Sequence, residues 1–199
     1  MLENEIRKYQ TLNKLADTNG IIIFGGTEDK EIPLCELKQA FEVNAKLYNR
    51  SISNLSVNTA LTVYDNCVAN LKPESVLLHI GVADLDSFSQ DSSDFVQKYI
   101  DLIRHIKSLD KKCNIAIISL KNSDESADII EMNKHLKYIA ESEQCEFGDI
   151  STKRVWNPME TKNVISLVSS LNLFPTLKNK LPLYDLIKIL FCSNSPCAE

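Results

Sequence analysis

The groups in this 199-residue chain best placed to do chemistry are a hydroxyl, three imidazoles and a few carboxylates. Thr27 follows directly on the apolar run Ile21 to Phe24 and the pair Gly25-Gly26. A hydroxyl at the end of a buried strand can attack an acyl carbon only if a neighbouring base removes its proton. The histidines do not offer one in an obvious place. His105 shares the polar side of its helix with Lys98, Asp101 and Ser108, and His135 lies beside Asp128 and Glu131, so both read as solvated. His79 falls inside an apolar strand and reads as a hydrogen-bonded core imidazole. Glu28, Asp29, Asp84 and Asp86 could gather around strand ends as ligands for a hard cation, but loop acids at a sheet edge read as solvated.

Strands alternating with helices are the elements that would position these groups. Apolar runs at Ile21 to Phe24, Leu47 to Asn49, Val76 to Ile80, Asn114 to Leu120 and Glu146 to Ile150 read as five strands. The run Val76, Leu77, Leu78, Ile80 does not alternate, as expected of a central parallel strand buried on both faces. Apolar positions at helical spacing mark helices from Leu2 to about Leu15, ended by Asn19-Gly20, and from Cys35 to Phe41. Further helices run from Val57 to Leu71, from Phe95 to Leu109 and from Ile129 to Ile139, the fourth capped from among Ser92, Ser93 and Asp94. The last quarter is less regular, with helices expected at Glu160 to Ser170 and Pro182 to Cys192. This order predicts right-handed crossovers and a three-layer α/β/α sandwich.

Composition narrows the function classes. The length fits one domain, 1–199, with an N-terminal helix over 1–18 and an extension over 172–199 packed on it. At that size folding buries roughly 70% of the extended-chain surface, so no metal or disulfide is needed for stability. The charged, amphipathic N-terminus is no signal peptide, and no apolar stretch approaches about 18 residues, so neither export nor a membrane partner is expected. Six cysteines without a Cys-x-x-Cys pair, in a chain expected to be cytoplasmic, read as free thiols rather than disulfides or a zinc site. Net charge is −5, split as −8 over residues 1–150 and +3 over residues 151–199, which argues against a nucleic-acid partner. No cofactor is expected. The apolar stretch Leu181 to Phe191 reads as a helix on the domain, with a homodimer or partner contact as the other use of it.

Several blocks in order resemble the SGNH (GDSL-type) ester hydrolases. Ile21 to Thr27 resembles the first block, an apolar strand ending in Gly-Asp-Ser. Asn49-Arg50-Ser51-Ile52-Ser53-Asn54 resembles the second, Asn-x-x-Ile-Ser-Gly, and Leu78 to Asp84 resembles the third, a strand followed by Gly-x-Asn-Asp. Glu131 to Ala140 with Phe147-Gly148-Asp149 resembles the helix and strand before the final block, matched by Arg154 to Glu160. The resemblance implies a flavodoxin-like fold with a five-stranded parallel sheet in the order 2-1-3-4-5. It also implies that Thr27, Asn54 and Ala83 meet at the C-terminal edge of that sheet, with the 153–160 loop beside them.

The same resemblance assigns the family's working groups to positions that lack them. The nucleophilic serine becomes Thr27, the oxyanion glycine Asn54, the oxyanion asparagine Ala83, the aspartate Arg154 and the histidine Asn157. Serine, histidine and aspartate act as a unit, and the oxyanion donors hold the charge that develops. The expectation is therefore an SGNH-like protein without ester hydrolysis that keeps its cleft as a binding or interaction site. An ester or acyl hydrolase, carbohydrate deacetylase-like, built around Thr27 is the second reading, and a structural or assembly partner the third.

Overall fold

In a computed structural model of the protein, residues 2–40, 43–122, 126–151 and 183–192 are described. Strands β1 (Ile21–Gly25), β2 (Leu47–Asn49), β3 (Ser75–His79), β4 (Asn114–Ile118) and β5 (Glu146–Gly148) form one sheet in the order β2-β1-β3-β4-β5. Every pairing is parallel, with Ile22 beside both Tyr48 and Val76, Leu77 beside Ala116, and Ile117 beside Phe147. The expected order is the observed one.

Alternation along each strand sends neighbouring side chains to opposite faces, and both faces are covered. Ile22, Phe24, Val76, Leu78, Ile115 and Ile117 face one core with helices α1 (Leu2–Asn13), α3 (Val57–Cys67), α5 (Ser92–Leu109) and α6 (Ala127–Ser142). Ile23, Leu77, Ala116 and Ile118 face the other core, with Leu37 of α2 (Leu34–Ala40) and Leu186, Ile187, Leu190 and Phe191 of the C-terminal helical segment. That segment begins as the α-helix Leu183–Ile187 and continues as a π turn over Lys188–Cys192. Its apolar face is thus spent on the chain's own sheet.

Details depart from the sequence reading at element ends. α1 stops at Asn13, before Asn19, which takes a left-handed φ of 61°. Strands β4 and β5 end two residues early, because the backbone beyond them turns toward side-chain partners such as Ser119 Oγ, which accepts from the Ile150 N–H at 2.8 Å. The cap of α5 is Asp91, not Ser92, Ser93 or Asp94: its carboxylate accepts the N–H groups of Ser93 and Asp94. A short helix α4 (Leu85–Gln90) was unexpected, its sequence Leu-Asp-Ser-Phe-Ser-Gln being too polar to show a stripe. Among the described residues no helix is long and apolar enough to cross a membrane. The expected helix at 160–170 lies outside the described residues.

Candidate functional site

Three loops leave the C-terminal ends of β1, β2 and β3 and meet, where open parallel sheets bind ligands. The β1 loop carries Gly26 and Thr27 into a 3-10 turn over Glu28–Glu31. The β2 loop is tied to β1 by backbone bonds: the Arg50 N–H donates to Ile23 O at 2.8 Å and the Ile52 N–H to Gly25 O at 3.0 Å. It ends at Asn54, whose φ of 53° is left-handed. Asparagine tolerates that conformation better than other side-chain-bearing residues, so the turn forms without a glycine. The β3 loop starts at Gly81, φ 144°, and makes a 3-10 turn over Val82–Asp84.

Thr27, Asn54 and Ala83 line one cavity of about 150 Å³, with Gly26, Glu28, Asp29, Leu55, His79, Gly81 and Val82. The expected convergence of the three loops is therefore what the structure has. Within it the Asn54 N–H donates to Thr27 Oγ1 at 3.0 Å, and the Thr27 hydroxyl donates to Asn54 Oδ1 at 3.3 Å. The Ala83 side chain brings no donor. Arg154 and Asn157 lie outside the described residues.

Two carboxylates expected to be solvated are buried instead. Asp29 is 3% exposed and Asp84 1%. Asp84 accepts the Val57 N–H on both carboxylate oxygens, at 3.1 and 3.0 Å, and so fastens the third loop to the start of α3 just after Asn54. Burial pushes its carboxyl up to about 6, against the pull of the Val57 hydrogen bond and of Lys98. Asp29 Oδ2 accepts the Gly26 N–H at 3.0 Å, and Asp29 Oδ1 lies 2.8 Å from His79 Nδ1. The Asp29 backbone carbonyl accepts from Asn49 Nδ2 at 2.6 Å. Gly25 makes this fold-back possible, since a Cβ there would lie 1.9 Å from Asp29 Oδ2.

His79 is the hydrogen-bonded core imidazole expected, and it also lines the site. Register places it beside Gly25, so its side chain is held against Asp29 and it joins the wall of Thr27's cavity. Burial disfavours its charge, but the Asp29 carboxylate and hydrogen bond outweigh that and hold its pKa above the usual histidine value. Its Nε2 is buried without a hydrogen-bond partner among the described residues, and its ring packs edge-on to Phe191 with centroids 5.2 Å apart. The signal that could have found it was Gly25 four residues ahead of an acid, because the missing Cβ leaves room for that acid to return onto the sheet. His105 and His135 stand elsewhere, the first on Asp65 at 2.6 Å and the second against Phe88.

The loops are held from below by α1. The Tyr9 hydroxyl donates to Ser51 O at 2.6 Å, and Arg50 is buried between the Tyr9 and Tyr48 rings, its Nε donating to Asn13 Oδ1 at 2.8 Å. Glu5 holds the Ser53 N–H at 3.1 Å and pairs with Lys30. Among the described residues no three His, Cys, Asp or Glu side chains are grouped to hold a metal ion. A wider groove at the other end of β4 and β5, lined by Lys107, Lys111 and Lys112, has none of these built contacts.

This arrangement of loops on a five-stranded parallel sheet is the fold of the GDSL-like hydrolases. The chain is similar to a protein provisionally described as a platelet activating factor from Streptococcus pneumonia, at 18% identity over 87% of this chain and 92% of that one, with a TM-score of 0.65. It is similar to a GDSL-like lipase from Bacteroides thetaiotaomicron, at 15% identity, 83% and 96% coverage and a TM-score of 0.59. It is also similar to the acetylxylan esterase Axe2 from Geobacillus stearothermophilus, at 15% identity, 83% and 99% coverage and a TM-score of 0.54. No family model and no curated protein matches the chain. At these identities the likeness establishes the fold.

Proposed function

We propose that this protein is an SGNH-type hydrolase relative that binds a small ligand in the former ester cleft without hydrolysing it. One observation carries the reading: the Thr27 hydroxyl is bonded in both directions to Asn54, a residue that cannot take its proton. A nucleophile needs a base at that distance, and the unit of nucleophile and base fails when either is missing. The oxyanion side is weakened as well. The Ala83 side chain has no donor, and the Asn54 N–H is directed to Thr27 itself. What is kept is scaffold: the left-handed turn at Asn54, the Gly81 turn and the Asp84 fastening.

A second reading rests on the Asp29–His79 pair. A carboxylate orienting Nδ1 of an imidazole in the wall of the nucleophile's cavity is the arrangement that a triad uses. Hydrolysis by that route requires Nε2 to reach Thr27, and no Thr27–His79 bond is present. Incubation of the wild-type protein with short acyl esters decides between the two. Release of acid no faster than in buffer supports binding alone; turnover abolished both by Thr27→Val and by His79→Gln would establish the second reading.

A further inference from the structure

Helix α1 has a thin apolar hold on the rest of the chain. Of its 12 residues Tyr9 and Asn13 are buried and Ile6 is partly buried, while Leu2 and Leu12 stay 37% and 40% exposed. Helix α5, by contrast, buries Phe95, Tyr99, Leu102, Ile103 and Ile106. Apolar burial is the hold that water cannot replace, whereas a polar bond broken into solvent is largely exchanged for one to water. A helix held by polar bonds therefore opens at a smaller cost than the sheet beneath it.

The polar bonds of α1 run to the two loops that carry Thr27 and Asn54. The Ser53 hydroxyl donates to Glu5 at 3.0 Å and accepts from Lys30 Nζ at 2.7 Å, which closes a ring with the Glu5–Lys30 pair. Ser53 immediately precedes Asn54, and Lys30 follows Asp29, which accepts the Gly26 N–H. One carboxylate on α1 thus fixes the β1 loop and the β2 loop against each other. Tyr9 at Ser51 O and Asn13 at Arg50 repeat the tie one and two turns further along the helix. When α1 lifts, both loops lose these partners together, while the β2 loop keeps its backbone bonds to Ile23 and Gly25.

We propose that α1 is a strap: it opens independently of the sheet, and the β1 and β2 loops lose their order with it. This is independent of whether the cleft binds a ligand or cleaves one. It is tested by amide hydrogen exchange, followed by NMR on the 15N-labelled full chain at one pH. In the wild type Tyr9, Gln10, Ser53 and Asn54 should share one level of protection, about tenfold or more below that of Leu77 and Ala116. Lys8 is exposed on α1, so Lys8→Gly acts through helix propensity and should speed exchange at all four amides by about fivefold. Glu5→Ala, which removes the shared carboxylate, should speed the same four by about tenfold. Ile118→Val, in the core on the sheet face away from α1, should speed Leu77 and Ala116 several-fold and leave the four unchanged. Ser53 and Asn54 amides that ignore Lys8→Gly would overturn the strap. So would four amides that exchange as slowly as Leu77 and respond to Ile118→Val, because α1 would then open only when the whole domain unfolds.

Discussion

The Asn54 backbone N–H lies 3.0 Å from Thr27 Oγ1, so the turn that follows β2 is anchored on the residue that follows β1. This bond joins two loops whose residues are 27 apart in sequence, and it depends on the left-handed φ of 53° at Asn54.

That dependence gives the first prediction. Asn54→Gly should change stability by no more than a few tenths of a kcal/mol beyond the loss of its side-chain bond, because glycine adopts the turn freely. Asn54→Ala should be less stable than Asn54→Gly by about 1–2 kcal/mol, because alanine keeps the Cβ penalty of the left-handed region and loses the short polar side chain that lets asparagine tolerate it. Urea denaturation of the three proteins checks the order, and equal stability of the Ala and Gly variants would contradict it.

The second prediction concerns the thiols. Cys67 and Cys113 are buried, and burial pushes their thiols up to about 11 and about 12, whereas Cys35 is exposed. A thiol reagent at neutral pH should modify Cys35 at once and leave Cys67 and Cys113 unreacted until the protein unfolds. Under denaturing, non-reducing conditions all six cysteines should count as free, as their spacing implies. A shortfall on freshly purified protein would indicate a disulfide.

The sheet was legible because its apolar runs were too continuous for one-sided burial, and Val76, Leu77 and Leu78 are indeed buried completely. The three loops were legible through the resemblance of Ile21 to Thr27, Asn49 to Asn54 and Leu78 to Asp84 to blocks of the SGNH hydrolases. Asp29 was not, because Glu28-Asp29-Lys30-Glu31 has the composition of a solvated turn, and only the room at Gly25 turns one of those acids inward. His79 was read correctly as a hydrogen-bonded core residue but not as part of the site. Its partner is 50 residues away in sequence, and a pairing at that distance is set by strand register rather than by any local pattern.

The third prediction tests the pair directly. Removing one member leaves the other buried without its partner, so Asp29→Ala and His79→Ala should each cost about 3–5 kcal/mol. The double variant should cost less than the sum by about 1–3 kcal/mol. Denaturation of the four proteins at one pH gives the coupling. Strict additivity would mean that the two side chains hold their places independently.

The fourth prediction is a pH dependence with a definite sign. Asp84 titrates at about 6 in the folded chain, above the ordinary 3.8. Between about pH 4 and 6 the folded protein therefore keeps a proton that the unfolded chain has lost. Stability must fall as pH rises through that window, by up to about 3 kcal/mol from this group. Below pH 4 both states hold the proton, and above 6 neither does, so the contribution is flat on either side. Asp84→Asn cannot titrate, yet its carboxamide oxygen can still accept the Val57 N–H. The stability of Asp84→Asn minus that of the wild type should accordingly rise from pH 4 to pH 6 and then level off. Taking the difference removes the opposite trends of Asp91, Glu131 and Asp149, whose carboxyls are held low by their hydrogen bonds and neighbouring lysines. A difference that stays flat, or falls, across that window would show that the Asp84 carboxylate is no costlier buried than in water.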